Sequence, residues 1–126
     1  MNFLLTGTRA YGPLTDESDW DIVMLRQDAD SLKEFLNLLG IEVHRSDHIH
    51  PSYEGFWFKF NDINKVQIIV AFDMVEYMAW AQATKEMKAS HKIYNREDRV
   101  MTFQRLFYDA LSQIRKNEQE KNDKLF

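Results

Sequence analysis

Two neighbouring stretches, GTRAYG at residues 7–12 and SDWDIV at residues 18–23, decide how this sequence is interpreted. A short apolar run at residues 2–6 precedes the first stretch, and the second opens another apolar run at residues 20–26. Dense apolar residues between turn formers are typical of β-strands. We therefore predict two strands that are joined by a glycine turn and by a loop at residues 13–18.

The spacing of two aspartates after this turn predicts a metal site. Asp19 and Asp21 are two residues apart, and side chains with that spacing on a strand point to the same side. Two carboxylates at one spot repel each other unless a cation or a proton lies between them. Mg²⁺ is held by one or two carboxylates together with substrate phosphates. The first 21 residues thus predict a metal–triphosphate site.

Composition limits the class of protein. The chain has 126 residues, of which 44% are hydrophobic and 13% aromatic, so we expect a single domain at residues 1–115 and a polar tail at residues 116–126. The net charge of −4 gives no general basic surface for nucleic acid. Cysteine is absent, which excludes disulfides and thiolate metal ligands. No apolar run approaches the roughly 20 residues that span a bilayer, and no secretory leader is predicted. We expect a cytoplasmic protein without membrane association.

The first half of the remaining chain predicts one helix and one short strand. Ser31 and Glu34 form a capping box, which predicts that a helix starts at Asp30 or Ser31. The helix is expected to end before Gly40, which suits a position just beyond a helix. Residues 41–45 are a short strand candidate.

The second half predicts a hairpin and two helices. Residues 56–60 and 65–72 read as strands around a turn at residues 61–64. Asp73 is predicted to cap a helix that ends near Ser90, and Asn95 to cap the last helix. The expected fold is α/β, with a small mixed sheet of about four to five strands and helices packed on it.

Two common nucleotide-binding motifs are excluded by the residues around the glycine turn. Gly7 and Gly12 have the spacing of a P-loop, but the next two residues are Pro13 and Leu14 instead of Lys and Ser or Thr. A dinucleotide fingerprint also fails, because no third glycine opens a helix.

The combined pattern G-T-R-A-Y-G-x5-S-D-x-D-I-V resembles the signature of the nucleotidyltransferase superfamily, the DNA polymerase β-like fold. Small single-domain members, the minimal nucleotidyltransferases, are similar to this chain in length. The resemblance covers residues 3–25. A later stretch at residues 63–88 also looks like nucleotidyltransferase-like proteins that bacteriophages encode.

The resemblance implies a role for each matching residue. Gly7 and Thr8 match the Gly-Ser pair that binds a triphosphate through backbone N–H groups and a hydroxyl. Asp19 and Asp21 match the pair that binds Mg²⁺ or Mn²⁺. The nucleotide-binding set implied by the motif also includes the small polar residue before the acidic pair and a cation of the turn, that is Ser18 and Arg9.

The implied activity is transfer of a nucleoside monophosphate from an NTP to a hydroxyl of a protein, a small molecule or RNA, with release of pyrophosphate. Two metal ions would clamp the attacking and leaving oxygens. The chain departs from the superfamily at the third carboxylate, because Gln67 occupies the best-matching position. An amide is not a general base and holds a metal more weakly. The alternative is therefore a catalytically silent module that binds a nucleotide or a partner. A helical partner protein is expected by analogy, and the small size and aromatic-rich surface candidates allow a homodimer.

Several residues have more than one interpretation. Arg9 either contacts phosphate or caps the loop, and the second role includes pairing with Asp16 or Glu17. Tyr11 is expected to pack, with base stacking as the alternative. For Trp57 we favour a place in the core or on the sheet surface over a base platform. A histidine metal site formed by His44, His48 and His50 is disfavoured, because Pro51 ends the segment and no carboxylate triad is evident.

Overall fold

The computed structural model describes residues 2–13, 18–46, 54–90 and 95–124. Its five strands are β1 (Phe3–Thr6), β2 (Trp20–Leu25), β3 (His44–Arg45), β4 (Gly55–Lys59) and β5 (Lys65–Ala71). Its four helices are α1 (Thr8–Tyr11), α2 (Arg26–Leu38), α3 (Met74–Ala89) and α4 (Arg96–Lys124). The expected α/β class is confirmed.

The strands form one mixed sheet in the order β1-β2-β5-β4-β3. β2 and β5 are parallel, and the other neighbouring strands are antiparallel. The parallel pair needs a long crossover, which contains α2 and the β3–β4 hairpin. This topology places β2, which carries Asp21 and begins one residue after Asp19, between β1 and β5.

Helices pack on both faces of the sheet. The α2 face is the side on which Met24, Ile68 and Val70 form a buried cluster with Ala29 and Leu36 of α2. The α3 face is the opposite side, where α3 and α4 form a second core against β2 and β5. That core includes Val23, Ile69, Ala71, Trp80, Phe103 and Phe107. Side chains alternate between the two faces along each strand, as the pleat requires.

The predicted turns and caps of the second half are confirmed. The Asn61 side-chain oxygen accepts hydrogen bonds from the N–H groups of Ile63 and Asn64 and so closes the β4–β5 turn. Asp73 accepts from the N–H of Glu76 at 2.8 Å, and Asn95 accepts from the N–H of Asp98 at 2.8 Å. Since Asp73 serves as a helix cap, it does not replace the missing third carboxylate.

Other boundaries differ from the predictions. α2 begins at Arg26 directly after β2, so the predicted start at Asp30 or Ser31 is wrong, and Ser31 Oγ instead donates to the carbonyl of Gln27. Tertiary contacts fix the earlier start, because Ala29 is fully buried and Asp28 accepts from the backbone N–H of Asn2. Gly40 has a φ of +72° after the helix, as predicted. The turn at residues 8–11 contains the short helix α1, which was not predicted.

The last helix extends far into the predicted polar tail. α4 has 29 residues, which corresponds to about 43 Å. Its side chains at residues 116–123 are exposed. Within the described part of the chain, no helix combines the length and the apolar character needed to cross a membrane.

Candidate functional site

A row of side chains crosses the whole sheet on its α3 face. Strand register aligns Thr6 of β1 with Asp21 of β2, Asp21 with Gln67 of β5, Gln67 with Trp57 of β4, and Trp57 with His44 of β3. Cross-strand neighbours share a face and lie about 5 Å apart. The topology therefore places Gln67, the residue at the expected third-carboxylate position, directly beside Asp21.

Gly7 brings the turn against Asp21. Its φ of +71° and ψ of −159° fall in a region that essentially glycine alone adopts. A Cβ at this position would overlap a carboxylate oxygen of Asp21 and would lie 3.1 Å from its Cγ. The glycine thus serves both the backbone conformation and the close approach of the carboxylate. The glycine turn and Asp21 adjoin each other, as the spacing predicts.

Burial and a neighbouring carboxylate change the acidity of Asp21. Burial and, to a smaller extent, the negative charge of Asp19 raise the pKa of the Asp21 carboxyl from 3.8 to about 6. Asp19 Oδ1 accepts a hydrogen bond from the N–H of Lys65 at 3.3 Å, which holds Asp19 at the start of β5. Burial and, to a smaller extent, the charge of Asp21 also raise the pKa of Tyr11 to about 12. A counter-charge at this place would relieve the repulsion.

Two cavities lie at this end of the α3 face, and Gln67 borders both. The aromatic cavity, about 380 Å³, is lined by Gly7, Asp21 and Arg96, among others. Its remaining lining includes Thr6, Tyr11, Ile69, Trp80, Val100 and Phe103. The polar cavity, about 330 Å³, is lined by Asp19, Arg45, Ser46, Trp57, Lys65 and Gln67. Both volumes lie in the range of small-molecule sites.

One lining residue of each cavity carries a buried hydrogen-bond donor for which the described part of the chain provides no partner. Trp80 is 3% exposed and Ser46 is 7% exposed. Among the described residues, neither the indole Nε1 of Trp80 nor the Oγ of Ser46 has a hydrogen-bond partner. Buried polar groups are nearly always satisfied, so each exception needs an explanation. Both residues line the cavities that flank Asp19, Asp21 and Gln67.

The predicted site residues separate into two groups. Gly7, Asp19 and Asp21 line the cavities, whereas Thr8, Arg9 and Ser18 line neither of them. Nε and Nη2 of Arg9 donate to the carbonyl of Ser18 at 3.1 and 2.9 Å. The guanidinium carbon lies 4.1 Å from the ring centre of Trp20. Arg9 therefore caps the loop, which is the alternative that the sequence left open, while Asp16 and Glu17 lie outside the described residues.

Aromatic packing engages Tyr11 and His44. Tyr11 stacks on Phe103, with ring centres 6.1 Å apart, and also borders the aromatic cavity. His44 stacks on Trp57 at 4.1 Å, and the Nζ of Lys65 lies 4.3 Å from the Trp57 ring centre. The other two histidines considered for a metal site, His48 and His50, lie outside the described residues.

Sequence reasoning missed Arg96, Trp80 and Ser46. Arg96 had a weak signal, because a cation in the first turn of a helix opposes the helix dipole. Trp80 and Ser46 had none, since their lack of partners depends on tertiary packing.

The acidic site has an oxygen donor set. Among the described residues, no group of three or more His, Cys, Asp or Glu side chains could hold a metal ion. The available donors are the carboxylates of Asp19 and Asp21 and the amide oxygen of Gln67. This is a set of hard ligands for a cation that completes its shell with phosphate or water.

In comparisons with known proteins, no family model, curated protein or solved structure matches the chain.

Proposed function

We propose that this chain is a nucleotidyltransferase that binds an NTP with Mg²⁺ and transfers a nucleoside monophosphate to a hydroxyl acceptor, releasing pyrophosphate. The observation that carries the proposal is the contact between the Gly7 turn and Asp21 inside a cavity that Arg96 also lines. The resemblance of residues 3–25 to the superfamily signature supports it. Because nucleoside triphosphates are cytoplasmic metabolites, the proposal also implies a cytoplasmic protein.

The donor set fits one hard cation. Asp19 and Asp21 supply the carboxylates for Mg²⁺ or Mn²⁺, and Gln67 supplies a neutral oxygen beside them. When bound, the ion neutralises phosphate charge and stabilises the leaving pyrophosphate. The raised pKa of Asp21 is consistent with a carboxylate that lacks its counter-ion.

The chain's own residues position the two reactants. The Gly7 turn binds the phosphates, and Arg96 neutralises part of their charge. Arg9 and Ser18 act indirectly by fixing the loop before Asp19. In the transfer, the acceptor oxygen forms a bond to the α-phosphorus as the bond to the bridging oxygen breaks. Pyrophosphate leaves with the electron pair, and the hydroxyl proton passes to solvent.

A second candidate function is favoured by Gln67. An amide stands where a third carboxylate would serve, so in this second proposal the chain binds a nucleotide without transferring it. Such a catalytically silent module would act through a partner, either a helical protein or a second copy of the chain. Both candidates share the nucleotide site and differ in chemistry.

Thermal unfolding tests the nucleotide site. Saturating Mg²⁺ and NTP at about 100 times Kd should raise Tm by on the order of 10 °C, because a ligand that binds the native state stabilises it. The double variant Asp19→Asn/Asp21→Asn should abolish the shift, while Lys85→Ala, an exposed change on α3, should keep it. An unchanged Tm of the parent protein at saturating Mg-NTP would exclude the site.

Transfer of label from an α-³²P NTP separates the two candidates. A nucleotidyltransferase should label an acceptor, drawn from protein, small-molecule and RNA candidates, above the level of the Asp19→Asn/Asp21→Asn variant. Gln67→Asp should increase the rate, since it supplies a third carboxylate. Equal background for all three proteins, together with an intact Mg-NTP shift in Tm, would establish the silent module.

A further inference from the structure

The two edges of the sheet differ in how they are protected against pairing with another chain. Proteins protect an edge strand by short length, charged side chains, proline or a bulge, because its unpaired N–H and C=O groups can accept a further strand. β3, one edge, has only two residues and carries the charge of Arg45. β1, the other edge, has four residues without a charge or a proline, and its register with β2 contains no bulge. β1 therefore lacks the usual protection.

The α2 face of β1 is also left uncovered. Phe3 and Leu5 pair with Met24 and Ile22 of β2, so all four side chains lie on the α2 face. Within the described ranges, the α2 backbone approaches β2 and β5 but not β1. Phe3 is consequently 65% exposed, although it belongs to the face that is apolar elsewhere.

One side of α2 continues this apolar surface. Asp28 Oδ2 accepts a hydrogen bond from the N–H of Asn2 at 3.0 Å, which brings that side of the helix next to the start of β1. Leu32, Phe35 and Leu39 follow Asp28 at intervals of about one turn and so form a stripe on the same side. Phe35 and Leu39 are more than half exposed. The charged residues of α2 that line a cavity beside β4 lie on its other side: Arg26, Asp30 and Lys33.

We call Phe3, Leu5, Phe35 and Leu39 the β1 surface, and its chemistry fits a second copy of the chain. An antiparallel strand can pair with its own copy across a two-fold axis, because the same edge then supplies matching donors and acceptors. With Leu4 on the axis, Phe3 of each copy lies opposite Leu5 of the other. The β1 surfaces of the two copies would then adjoin on one face, and neither would meet a charge.

The area of the β1 surface suits a weak dimer. A phenylalanine of about 200 Å² that is more than half exposed contributes on the order of 100 Å², and the leucines and the strand backbone bring each copy to roughly 500 Å². Two copies would therefore bury on the order of 1,000 Å², the size at which specific interfaces begin. Such an area is consistent with association at micromolar concentrations.

We propose that two copies of the chain associate by antiparallel pairing of their β1 strands, so that two five-stranded sheets become one continuous sheet. The β1 surfaces form the apolar contact on its α2 face. Asp21 and Gln67 lie on the α3 face, so the dimer does not depend on nucleotide binding.

Sedimentation equilibrium of the full chain tests the dimer, without Mg²⁺ or nucleotide and from about 1 to 500 µM. The mass of the parent should rise from that of the 15.1 kDa monomer to twice this value. Phe3→Lys should stay monomeric, because it places two ammonium groups across the axis. Met101→Lys, at a residue of α4 that is 68% exposed, is the matched control and should keep the dimer. Circular dichroism checks that each variant is folded.

Two further measurements test the arrangement of the strands. Phe3→Glu alone should be monomeric, but an equimolar mixture with Phe3→Lys should restore the dimer through opposite charges across the axis. Amide hydrogen exchange of β1 should slow about tenfold or more between the lowest and the highest concentration, because pairing protects its outer edge. Phe3→Lys should abolish this protection.

A parent protein that stays monomeric over the whole range would overturn the proposal. So would a dimer that survives in Phe3→Lys or that leaves the exchange of β1 unchanged, since either result assigns the contact to another surface. A synthetic peptide of alternating valine and threonine serves as a foreign strand. If it protects β1 in a monomeric parent, the edge accepts a strand of another protein, and the second-copy proposal is wrong.

Discussion

The two faces of the sheet are built from the same strands in strict alternation, yet they differ in how well their residues suit a folded core. On the α2 face, Met24, Ile68 and Val70 are buried together against α2. On the α3 face, Val23 and Ile69 are equally buried beneath α3 and α4. The neighbouring row on this face, which contains Asp21 and Gln67, is polar.

The polar end of the α3 face carries features that oppose folding. Asp21 has a raised pKa, and Gly7 adopts a glycine-only conformation against it. Within the described ranges, the side-chain donors of Trp80 and Ser46 have no hydrogen-bond partner. Functional sites commonly hold such unfavourable groups where a ligand compensates them. The apolar cores on both faces stabilise the sheet, and the polar end of the α3 face is where the proposed ligand site lies.

Adjacent residues on β5 give the largest expected contrast between the faces. Ile68→Ala should lower the free energy of unfolding by about 2 to 5 kcal/mol, because it leaves a cavity in a core where Ile68 is 1% exposed. Gln67→Ala, one residue away on the other face, should change it by less than about 1 kcal/mol. Urea unfolding of both variants in EDTA measures the difference. Equal losses would mean that the site row stabilises the fold as much as the core does.

Gly7 and Gly40 allow a matched test of the carboxylate contact. Both have φ near +70°, but a Cβ at Gly40 meets nothing within 4 Å, whereas a Cβ at Gly7 overlaps Asp21. Gly40→Ala should destabilise by about 1 kcal/mol from backbone strain, and Gly7→Ala by about 3 kcal/mol or more. In the Asp21→Ala background, the cost of Gly7→Ala should fall by about 1 kcal/mol or more, a coupling expected of residues in contact. An unchanged cost would show that Asp21 does not occupy this space.

The sequence predicted those parts of the fold that depend on local chemistry. The alternation of Val66, Ile68 and Val70 fixes a strand, and the side chains of Asn61 and Asp73 close a turn and cap a helix. The start of α2 was mispredicted because a local signal at Ser31 competed with long-range burial of Ala29.

The candidate site was predictable only where its residues are close in sequence. Gly7, Asp19 and Asp21 belong to one pattern, and strand pairing then brings Gln67 beside them. Arg96 reaches the same cavity because α4 packs on α3, and Ser46 reaches the other because β3 pairs with β4. No local pattern encodes either placement.

The partly buried carboxyl of Asp21 gives a pH-dependent difference between the faces. Because its folded pKa, about 6, lies above its ordinary 3.8, the native state holds a proton between these values that the unfolded state has released. Stability should therefore fall as pH rises from about 4 to 6 and then level off. Asp21→Asn removes this dependence, so in EDTA it should match the parent below pH 4 and exceed it by up to about 3 kcal/mol above pH 6.

Asp19→Asn is the control for this prediction. It removes the smaller cause of the shift and leaves the larger one, burial, so most of the pH dependence should persist. Urea unfolding at each pH measures both variants. A parent protein whose stability stays constant from pH 4 to 7 would contradict the raised pKa of the Asp21 carboxyl.

The smallest expected change in the free energy of unfolding comes from a comparison of two buried hydroxyls near the α3 face. Thr84 Oγ1 lies 2.8 Å from Thr6 Oγ1 and donates to the carbonyl of Trp80, so Thr84→Val should cost about 1 to 3 kcal/mol by leaving these groups unsatisfied. Ser46→Ala removes a hydroxyl without a partner and should leave the free energy of unfolding within about 0.5 kcal/mol of the parent, or raise it. Urea unfolding distinguishes the two cases. If Ser46→Ala destabilises the protein as much as Thr84→Val does, the Ser46 hydroxyl serves the fold.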